Sequence, residues 1–583
     1  MNVGDTFGLP AGVRWLDRPP LRCDVALQGH VVVVVAWRLG CVHSRDAVVE
    51  VARLVDEFAG RPVALLAVHS PVTAAEHEEP RLQRTVQLLD LAAAVVVDAA
   101  RALLAGAAVA DLPALWLVDA DGVVRVRGTG VPFRQRLRDA VEVLLDEAAH
   151  LGRLARVPFV PCAPRRVLRL GPTALLTRGG RIWLAAAAAR RVVELEASGR
   201  LLRTIGSGLA GADDGVPAKA RWRWPSACVA AEAGVFVLDA AAHTVRCIDG
   251  SGDVMTWWGN GRRSTDRVGG AYGTDQALAT PTAACTHEGT LLVALAGVHQ
   301  LWQFDPGTRA ALAWLGGGER GGEDGTRPTF REPAALLVHG DTLWVAEAAG
   351  GALRAIDLAH LTTRTVHTGL PRPVALAWHG EALLVAVADG AAVLRCAAGE
   401  GAPEPLFTAA HGLVEPVALA LDGDRLLIAD LGADRVFAAD LSAPTPTLLP
   451  LPEVDLPPTT TTVPAPGTVL LSPVRLAAAN DVTVRVPLPL PAERNFELVD
   501  LGDLTIDVVD EAEPVLAAPR HTAVPADDGH VAVLLPIAAA GDGALRFTIR
   551  GERRVGGFAR ELVWRYLLPV TAADDGAVDV RLA

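Results

Sequence analysis

Apolar and polar positions repeat with one pattern along the middle of the chain: an apolar strand, a turn of small residues, and a second apolar strand. The copies begin at Ile182, Val235, Leu291, Leu343, Leu383 and Leu426. Their starts lie roughly 40 to 56 residues apart, a period typical of solenoids and propellers. Each copy predicts the two inner strands of a small antiparallel sheet.

Glycine and proline mark the same two positions in every copy. A glycine precedes each repeated strand and predicts a hairpin turn: Gly180, Gly234, Gly289, Gly340, Gly380 and Gly423. A proline precedes the strand before that turn: Pro172, Pro225, Pro281, Pro333, Pro373 and Pro416. Six such units predict a six-bladed β-propeller over residues 165–450.

The repeated motif resembles NHL repeats. The resemblance rests on the proline, followed by a strand of the form Leu/Ile-x-Val/Ile-Ala-Asp/Glu. The acidic residue is present at Asp239, Glu347 and Asp430, and other blades replace it at Ala186, Leu295 and Val387. The resemblance therefore implies an NHL-type propeller in which several blades depart from the motif.

A different pattern occupies residues 1–150. The continuous β-branched run from Gly29 to Trp37 predicts a strand that is buried on both faces, and helical periodicity follows it. Further strands are predicted at 63–70 and 93–99, a hairpin from Ala114 around Asp121-Gly122, and a closing amphipathic helix. The alternation of strands and helices predicts an α/β domain.

The order of these elements, together with two local motifs, resembles thioredoxin-like proteins. Cys41-Val42-His43-Ser44 stands where that superfamily places its Cys-x-x-Cys turn, and Leu112-Pro113 stands where it places a cis-proline. The resemblance implies a thiol site built from Cys41 and Pro113. Ser44 replaces the second cysteine, so a disulfide within the motif cannot form.

Monothiol chemistry at Cys41 and a purely structural domain are the two interpretations of this turn. A helix N-terminus stabilises a thiolate, and a charged His43 or a hydrogen bond from the Ser44 hydroxyl would add to that effect. Arg38 occupies the position at which peroxiredoxins carry threonine, which disfavours a peroxidase. Cys23 is a candidate partner for an oxidised Cys41, although a small buried residue is its more ordinary role.

Composition excludes several classes of function. The net charge is −13 without an arginine cluster, which disfavours nucleic-acid binding. We expect no signal peptide and no membrane span. Seven scattered cysteines match neither a disulfide framework nor a zinc pattern, so we expect a cytoplasmic protein without a cofactor or metal.

Several sets of polar residues resemble metal ligands, but their places in the repeat or their spacing disfavour metal binding. His339 and His379 occupy the same turn of successive blades. His243, His299 and Asp434 likewise share one strand-turn position, which predicts turn stabilisation rather than metal binding. Asp213-Asp214 and Glu323-Asp324 lie in glycine-rich loops whose spacing matches no calcium loop.

The end of the chain changes composition again. Residues 442–467 are rich in proline and threonine and predict a linker. Residues 468–583 alternate between apolar and polar positions, which predicts a small antiparallel β-sandwich, an all-β C-terminal domain.

The three parts in this order resemble NHL repeat-containing thioredoxin-like proteins, so we expect a multidomain chain. The first functional hypothesis is a scaffold that binds a protein or peptide on a propeller face or in an interdomain cleft. The second is a monothiol oxidoreductase or oxidant sensor that uses Cys41. The third is a propeller enzyme that acts on a small molecule.

Overall fold

The computed structural model describes residues 2–16, 26–109, 111–131, 134–155, 159, 165–454 and 456, and the backbone of strands between 468 and 581. Cys23, Cys162 and the second half of the predicted linker lie outside these residues. The chain forms two compact units, Met1–Thr459 and Thr460–Ala583.

The first unit begins with a six-stranded mixed sheet. Its strands are β1 (Arg14–Trp15), β2 (Val31–Trp37), β3 (Val63–His69), β4 (Ala94–Val97), β5 (Ala114–Val118) and β6 (Val124–Thr129), in the order β1-β4-β3-β2-β5-β6. Strands β2, β3 and β4 run parallel, and the other pairings are antiparallel. Among the described residues, four α-helices accompany the sheet: α1 (Val42–Asp56), α2 (Glu79–Leu88), α3 (Ala102–Gly106) and α4 (Arg134–His150).

Strand β2 supplies both apolar cores of this sheet. Val31, Val33 and Val35 pack with α1, α2 and α4, whereas Val32 and Val34 pack with α3 on the opposite face. Every residue of the strand is buried. The prediction of a strand buried on both faces is therefore confirmed, because side chains of alternating direction meet helices on either side.

Residues 172–450 form a six-bladed β-propeller. Five blades have four antiparallel strands and the third has a fifth strand at its outer edge. The strands of blades one to three are Pro172–Arg178, Arg181–Ala186, Arg191–Glu196, Leu201–Ile205; Pro225–Ala231, Gly234–Asp239, Thr244–Ile248, Val254–Trp258; and Pro281–His287, Thr290–Leu295, Gln300–Phe304, Ala310–Leu315 with Gly269–Tyr272. Those of blades four to six are Pro333–His339, Thr342–Glu347, Ala352–Asp357, Thr362–His367; Pro373–His379, Ala382–Val387, Ala392–Ala397, Glu404–Phe407; and Pro416–Asp422, Arg425–Asp430, Arg435–Asp440, Leu449–Pro450.

Side-chain packing between neighbouring blades closes the propeller. Each adjacent pair of blades shares one apolar cluster. Blades six and one meet in the same way, through Leu427 and Leu184, which are both fully buried. The repeated prolines are the first residues of the innermost strands, as their position in the sequence predicted.

The predicted linker overlaps the sixth blade. Leu449–Pro450 is the outer strand of that blade, and Leu451 and Val454 pack onto the cluster between blades six and one. Proline did not prevent pairing here, because an outer strand needs hydrogen bonds on only one side.

The second unit contains two mixed sheets. One joins Thr468–Leu470, Val474–Ala477, Thr505–Asp510, Gly541–Val555 and Phe558–Ala573, and the other joins Asp481–Pro487, Thr522–Pro525, His530–Pro536 and Asp579–Arg581. Parallel pairs occur in both sheets, including Asp481–Pro487 with Asp579–Arg581. The alternation of apolar and polar positions predicted antiparallel sheets, and these parallel pairs depart from that prediction.

Candidate functional site

The turn between β2 and α1 presents Cys41 at a helix N-terminus. Glu76 holds this turn, because its Oε1 accepts hydrogen bonds from Arg38 Nε at 3.0 Å and from the Gly40 amide at 2.7 Å. A side chain at position 40 would meet that carboxylate oxygen at 2.4 Å from its Cβ, so glycine is required. Cys41 is the N-cap residue, as predicted.

Pro113 lies at the same end of the sheet. It immediately precedes β5, whose Ala114 pairs with Ala36 of β2, one residue before Trp37. The peptide bond between Leu112 and Pro113 is cis. The strand pairing thus brings the two sequence motifs to neighbouring positions.

A propeller residue covers the thiol. Glu332, which is 5% exposed, accepts a hydrogen bond from the Val42 amide through Oε2 at 3.1 Å. Burial raises the pKa of Cys41, and the negative charge of Glu332 raises it further. The backbone and hydroxyl of Ser44, and then Arg45, lower that pKa less strongly. The hypothesis of a low-pKa thiolate is therefore not supported in this docked arrangement.

His43 and Ser44 do not supply the activation proposed for them. Burial lowers the pKa of His43, and Arg263 lowers it further, so the imidazole is neutral at pH 7. Its ring lies 5.0 Å from that of His299, centroid to centroid. Ser44 Oγ is buried and makes no hydrogen bond of normal geometry with a described residue, and the lowering of the Cys41 pKa by Ser44 does not overcome the effects of burial and Glu332.

The covering surface has a regular origin in the repeat. One residue stands directly before the first proline of each blade: Gly171, Trp224, Thr280, Glu332, Arg372 and Glu415. We call these six the pre-proline ring. Four of them contact α1 or α2, since Trp224 lies 6.0 Å from the Arg45 guanidinium and the other three form hydrogen bonds with these helices.

Asp46 is the centre of one buried polar network between α1 and the propeller. Its Oδ2 accepts hydrogen bonds from Arg263 Nε at 2.8 Å and from Thr280 Oγ1 at 2.7 Å. Burial by itself would raise the pKa of Asp46, but Arg263, with His243 and Thr280, holds that pKa below its ordinary value. Asp46 is therefore ionised and paired.

Glu415 of the propeller is the centre of a second buried polar network, which joins the propeller to α2. Its two carboxylate oxygens accept from Arg81 Nη2 at 2.7 Å and from Arg84 Nη2 at 3.0 Å. Burial opposes ionisation, yet Arg81, Arg372 and Arg84 lower the pKa of Glu415. Gln87, at the end of α2, also bonds to the backbone of Leu168, where the chain enters the propeller.

A cavity of about 100 Å³ lies beside these networks. Arg45, Asp46 and Val49 of α1 line one side. Trp224, His243 and Thr280 of the propeller line the other. The cavity lies between the N-terminal domain and the propeller, and its volume admits only a few atoms, too few for the protein or peptide partner that the sequence analysis expected.

His243, His299 and Asp434 stabilise the passage from one blade to the next. His243 Nδ1 accepts from the Thr280 amide and His299 Nδ1 from the Glu332 amide, each at 3.2 Å. Asp434 accepts from three amides, including Gly171 at 2.6 Å. All three residues have positive φ, and their interpretation as turn residues is confirmed.

The remaining polar candidates are also structural. Asp214 bonds to the buried Arg246 at 2.8 Å in blade two, and Asp324 bonds to the buried Arg354 at 2.8 Å in blade four. The carboxylates of Asp214 and Asp324 therefore pair with buried arginines of their own blades. His339 stacks on Trp378, with 3.9 Å between ring centroids.

Sequence reasoning missed the propeller half of the site. Glu332 lies 290 residues beyond Val42, and Glu415 lies 334 residues beyond Arg81. The repeated proline marks the position before it in every blade, but nothing local in the sequence shows that a side chain there contacts a distant domain. Within the described residues, no helix has the length and apolarity to cross a membrane.

Similarity to known proteins covers part of the chain. It is 24% identical over 382 residues to Protein SUPPRESSOR OF QUENCHING 1, chloroplastic, from Arabidopsis thaliana, across 62% of this chain and 36% of the relative. It is 22% identical over 385 residues to NHL repeat-containing protein 2 from Gallus gallus, across 60% of this chain and 53% of the relative. The chain thus spans between about a third and half of these relatives. The second name supports the NHL interpretation of the blades.

No protein-family model matches the chain. Among solved structures, virginiamycin B lyase from Staphylococcus aureus aligns over 49% of this chain and 86% of that chain, with 14% identity and a TM-score of 0.34. The assignment of six blades rests instead on the strand pairing described above.

Acid is expected to weaken the docking of α1 and α2 on the propeller. Asp46 and Glu415 both have lowered pKa values, so their contribution is complete above the ordinary carboxyl range and is lost as pH falls through and below about 4. Burial raises the pKa of Glu332, so the contribution of this residue to docking is greater when it is protonated at acidic pH. Limited proteolysis between pH 3 and 7 with an acid-stable protease should show release only at the acid end; equal release at all values would contradict the expectation.

Proposed function

We propose that this chain is a cytoplasmic binding or scaffold protein, in which a thioredoxin-like domain over residues 1–150 is docked through its active-site turn onto an NHL propeller. The sheet order, with three parallel strands flanked by antiparallel ones, and the Cys41 turn at the start of α1 support the thioredoxin-like assignment. The observation that carries the scaffold role is the contact of Glu332 with Val42 and Cys41.

The turn that carries Cys41 is covered by Glu332, a propeller residue of the same chain. A redox thiol needs a thiolate that a substrate disulfide can approach, and both burial and Glu332 act against that. The turn therefore serves as a docking element, and binding of a protein or peptide is assigned to surfaces away from it.

The outer edge of blade three is the partner surface that we favour. Its fifth strand, Gly269–Tyr272, is the edge strand of that blade, and its Gly269 and Ala271 amides donate to the side chains of Asp266 and Gln276. Tyr272, Val268 and Leu312 around it are exposed by half or more of their surface. Exposed apolar side chains on an edge strand suit a peptide segment that docks through its own apolar side chains.

A monothiol oxidoreductase or oxidant sensor remains the second candidate, because Cys41 is only half-buried and stands at a helix N-terminus. That function requires undocking of the turn from Glu332. Alkylation of native protein by iodoacetamide separates the two, with Cys41→Ala to assign the signal.

The scaffold proposal expects a titration midpoint for Cys41 above the free-thiol value of about 8.5, and faster alkylation at pH 8 in Glu332→Gln, which removes the charge but keeps an acceptor for Val42. Glu400→Gln, on an exposed ion pair, is the matched control. A wild-type midpoint below the free-thiol value would overturn the scaffold assignment in favour of the redox one.

A further inference from the structure

Three side chains that bind metals in proteins converge where α1 meets blade four. Cys41 and His43 come from the start of α1, and Glu332 comes from the pre-proline ring. One ligand atom from each lies within 4.8 Å of the other two. The three come from two separate domains of the first unit, so docking is what assembles the cluster.

The donor set has a defined preference. Thiolate, imidazole and carboxylate are the ligand types of Zn²⁺ sites, whereas Mg²⁺ and Ca²⁺ prefer oxygen ligands alone. Three protein ligands and an open fourth position are the arrangement of catalytic rather than structural zinc centres. Cys41 and His43 are half-buried, which leaves a path for an ion from solvent.

The surroundings orient at least two of the ligands. Glu332 is fixed by the Val42 amide on Oε2 and by its own amide, which donates to His299 Nδ1 at 3.2 Å. His43 packs its ring against that of His299, with 5.0 Å between ring centroids. Arg45, Arg263 and Arg320 oppose a cation here; Asp46 pairs with Arg263, and the two anionic ligands face the other two arginines.

We propose that Cys41, His43 and Glu332 form an interdomain Zn²⁺ site with an open fourth position. The site rests on the docked arrangement proposed above. Binding transfers the Cys41 thiol proton to solvent, and the ion then links α1 to blade four. Zinc uptake should accordingly make the docked state more resistant to proteolysis.

Cobalt is the spectroscopic probe for this site. Titration of the purified full chain, after chelator treatment, with Co²⁺ should give a thiolate-to-cobalt charge-transfer band that saturates at one ion per chain and disappears when Zn²⁺ is added. Cys41→Ser should lose the band, and His43→Gln and Glu332→Gln should each weaken binding at least about tenfold. Cys285→Ser and His360→Gln, which lie outside the cluster, should leave it unchanged.

Absence of the band in wild-type protein, or its persistence in Cys41→Ser, would overturn the metal site. Should a variant fail to fold, wild-type protein alone decides: Zn²⁺ should protect Cys41 from alkylation, Mg²⁺ should not, and Cys285 should be unaffected by both. Equal alkylation of Cys41 with and without Zn²⁺ would refute the site. Docking is measured independently by proteolysis, so a docked protein that binds no metal refutes this inference and leaves the scaffold proposal standing.

Discussion

Replacement of Glu415 by alanine is expected to release the N-terminal domain from the propeller. Arg81 and Arg84 are 5% and 8% exposed, and both direct a guanidinium at this carboxylate. Without it, Asp389, 2.7 Å from Arg81, is the remaining acidic partner in that network. Leaving buried charges without their partner costs about 3–5 kcal/mol, which is a large part of the stability of an ordinary domain.

Two measurements detect this release. Urea unfolding should shift to lower midpoint, and limited proteolysis should cut residues that lie between the domains. Glu400→Ala removes an acidic partner from an exposed ion pair with Arg364 and should change stability by no more than about 0.5 kcal/mol. An unchanged urea midpoint for Glu415→Ala would show that the α2 contact contributes little to docking.

Replacement of Asp46 by alanine is the second change with a large expected effect. Asp46 and Arg263 have side chains that are 7% and 9% exposed, and the Thr280 hydroxyl shares the same oxygen. The alanine variant leaves the buried Arg263 guanidinium without its carboxylate, at a cost of about 3–5 kcal/mol, although the Gly297 carbonyl still accepts from Arg263 Nη2 at 3.0 Å. Asp46→Asn keeps an acceptor without the charge and should be affected less.

Thermal and urea unfolding check this order of effects. Asp139→Ala is the matched control, because Asp139 is an exposed carboxylate on α4 of the same domain. The expected order of stability is wild type, Asp139→Ala, Asp46→Asn and then Asp46→Ala. If Asp46→Ala were as stable as the control, the network would be an incidental contact rather than a source of docking energy.

Most of the propeller was predictable because its repeated unit is local. A proline that starts the innermost strand and a glycine at the next turn are set by backbone geometry within a few residues. The fifth strand of blade three, Gly269–Tyr272, was not predicted. Its glycine content and short length resemble a loop, and only pairing with Ala310–Leu315 makes it a strand.

The candidate site was predictable only in part. The position of Cys41 at a helix N-terminus follows from the strand and helix that flank it. Its pKa direction did not follow, because burial and Glu332 come from a surface that is hundreds of residues away in the chain. The sequence did not single out Arg263 or Glu415 for the same reason: their partners belong to another domain.

The pre-proline ring has an evolutionary consequence. Its six positions each stand directly before the innermost strand of a blade, and four of them have positive φ: Gly171, Thr280, Glu332 and Arg372. Their side chains take no part in the strand pairing that builds the blades. A lineage can therefore exchange these residues one at a time and acquire affinity for a different neighbour, while selection on the folding of the blades acts elsewhere.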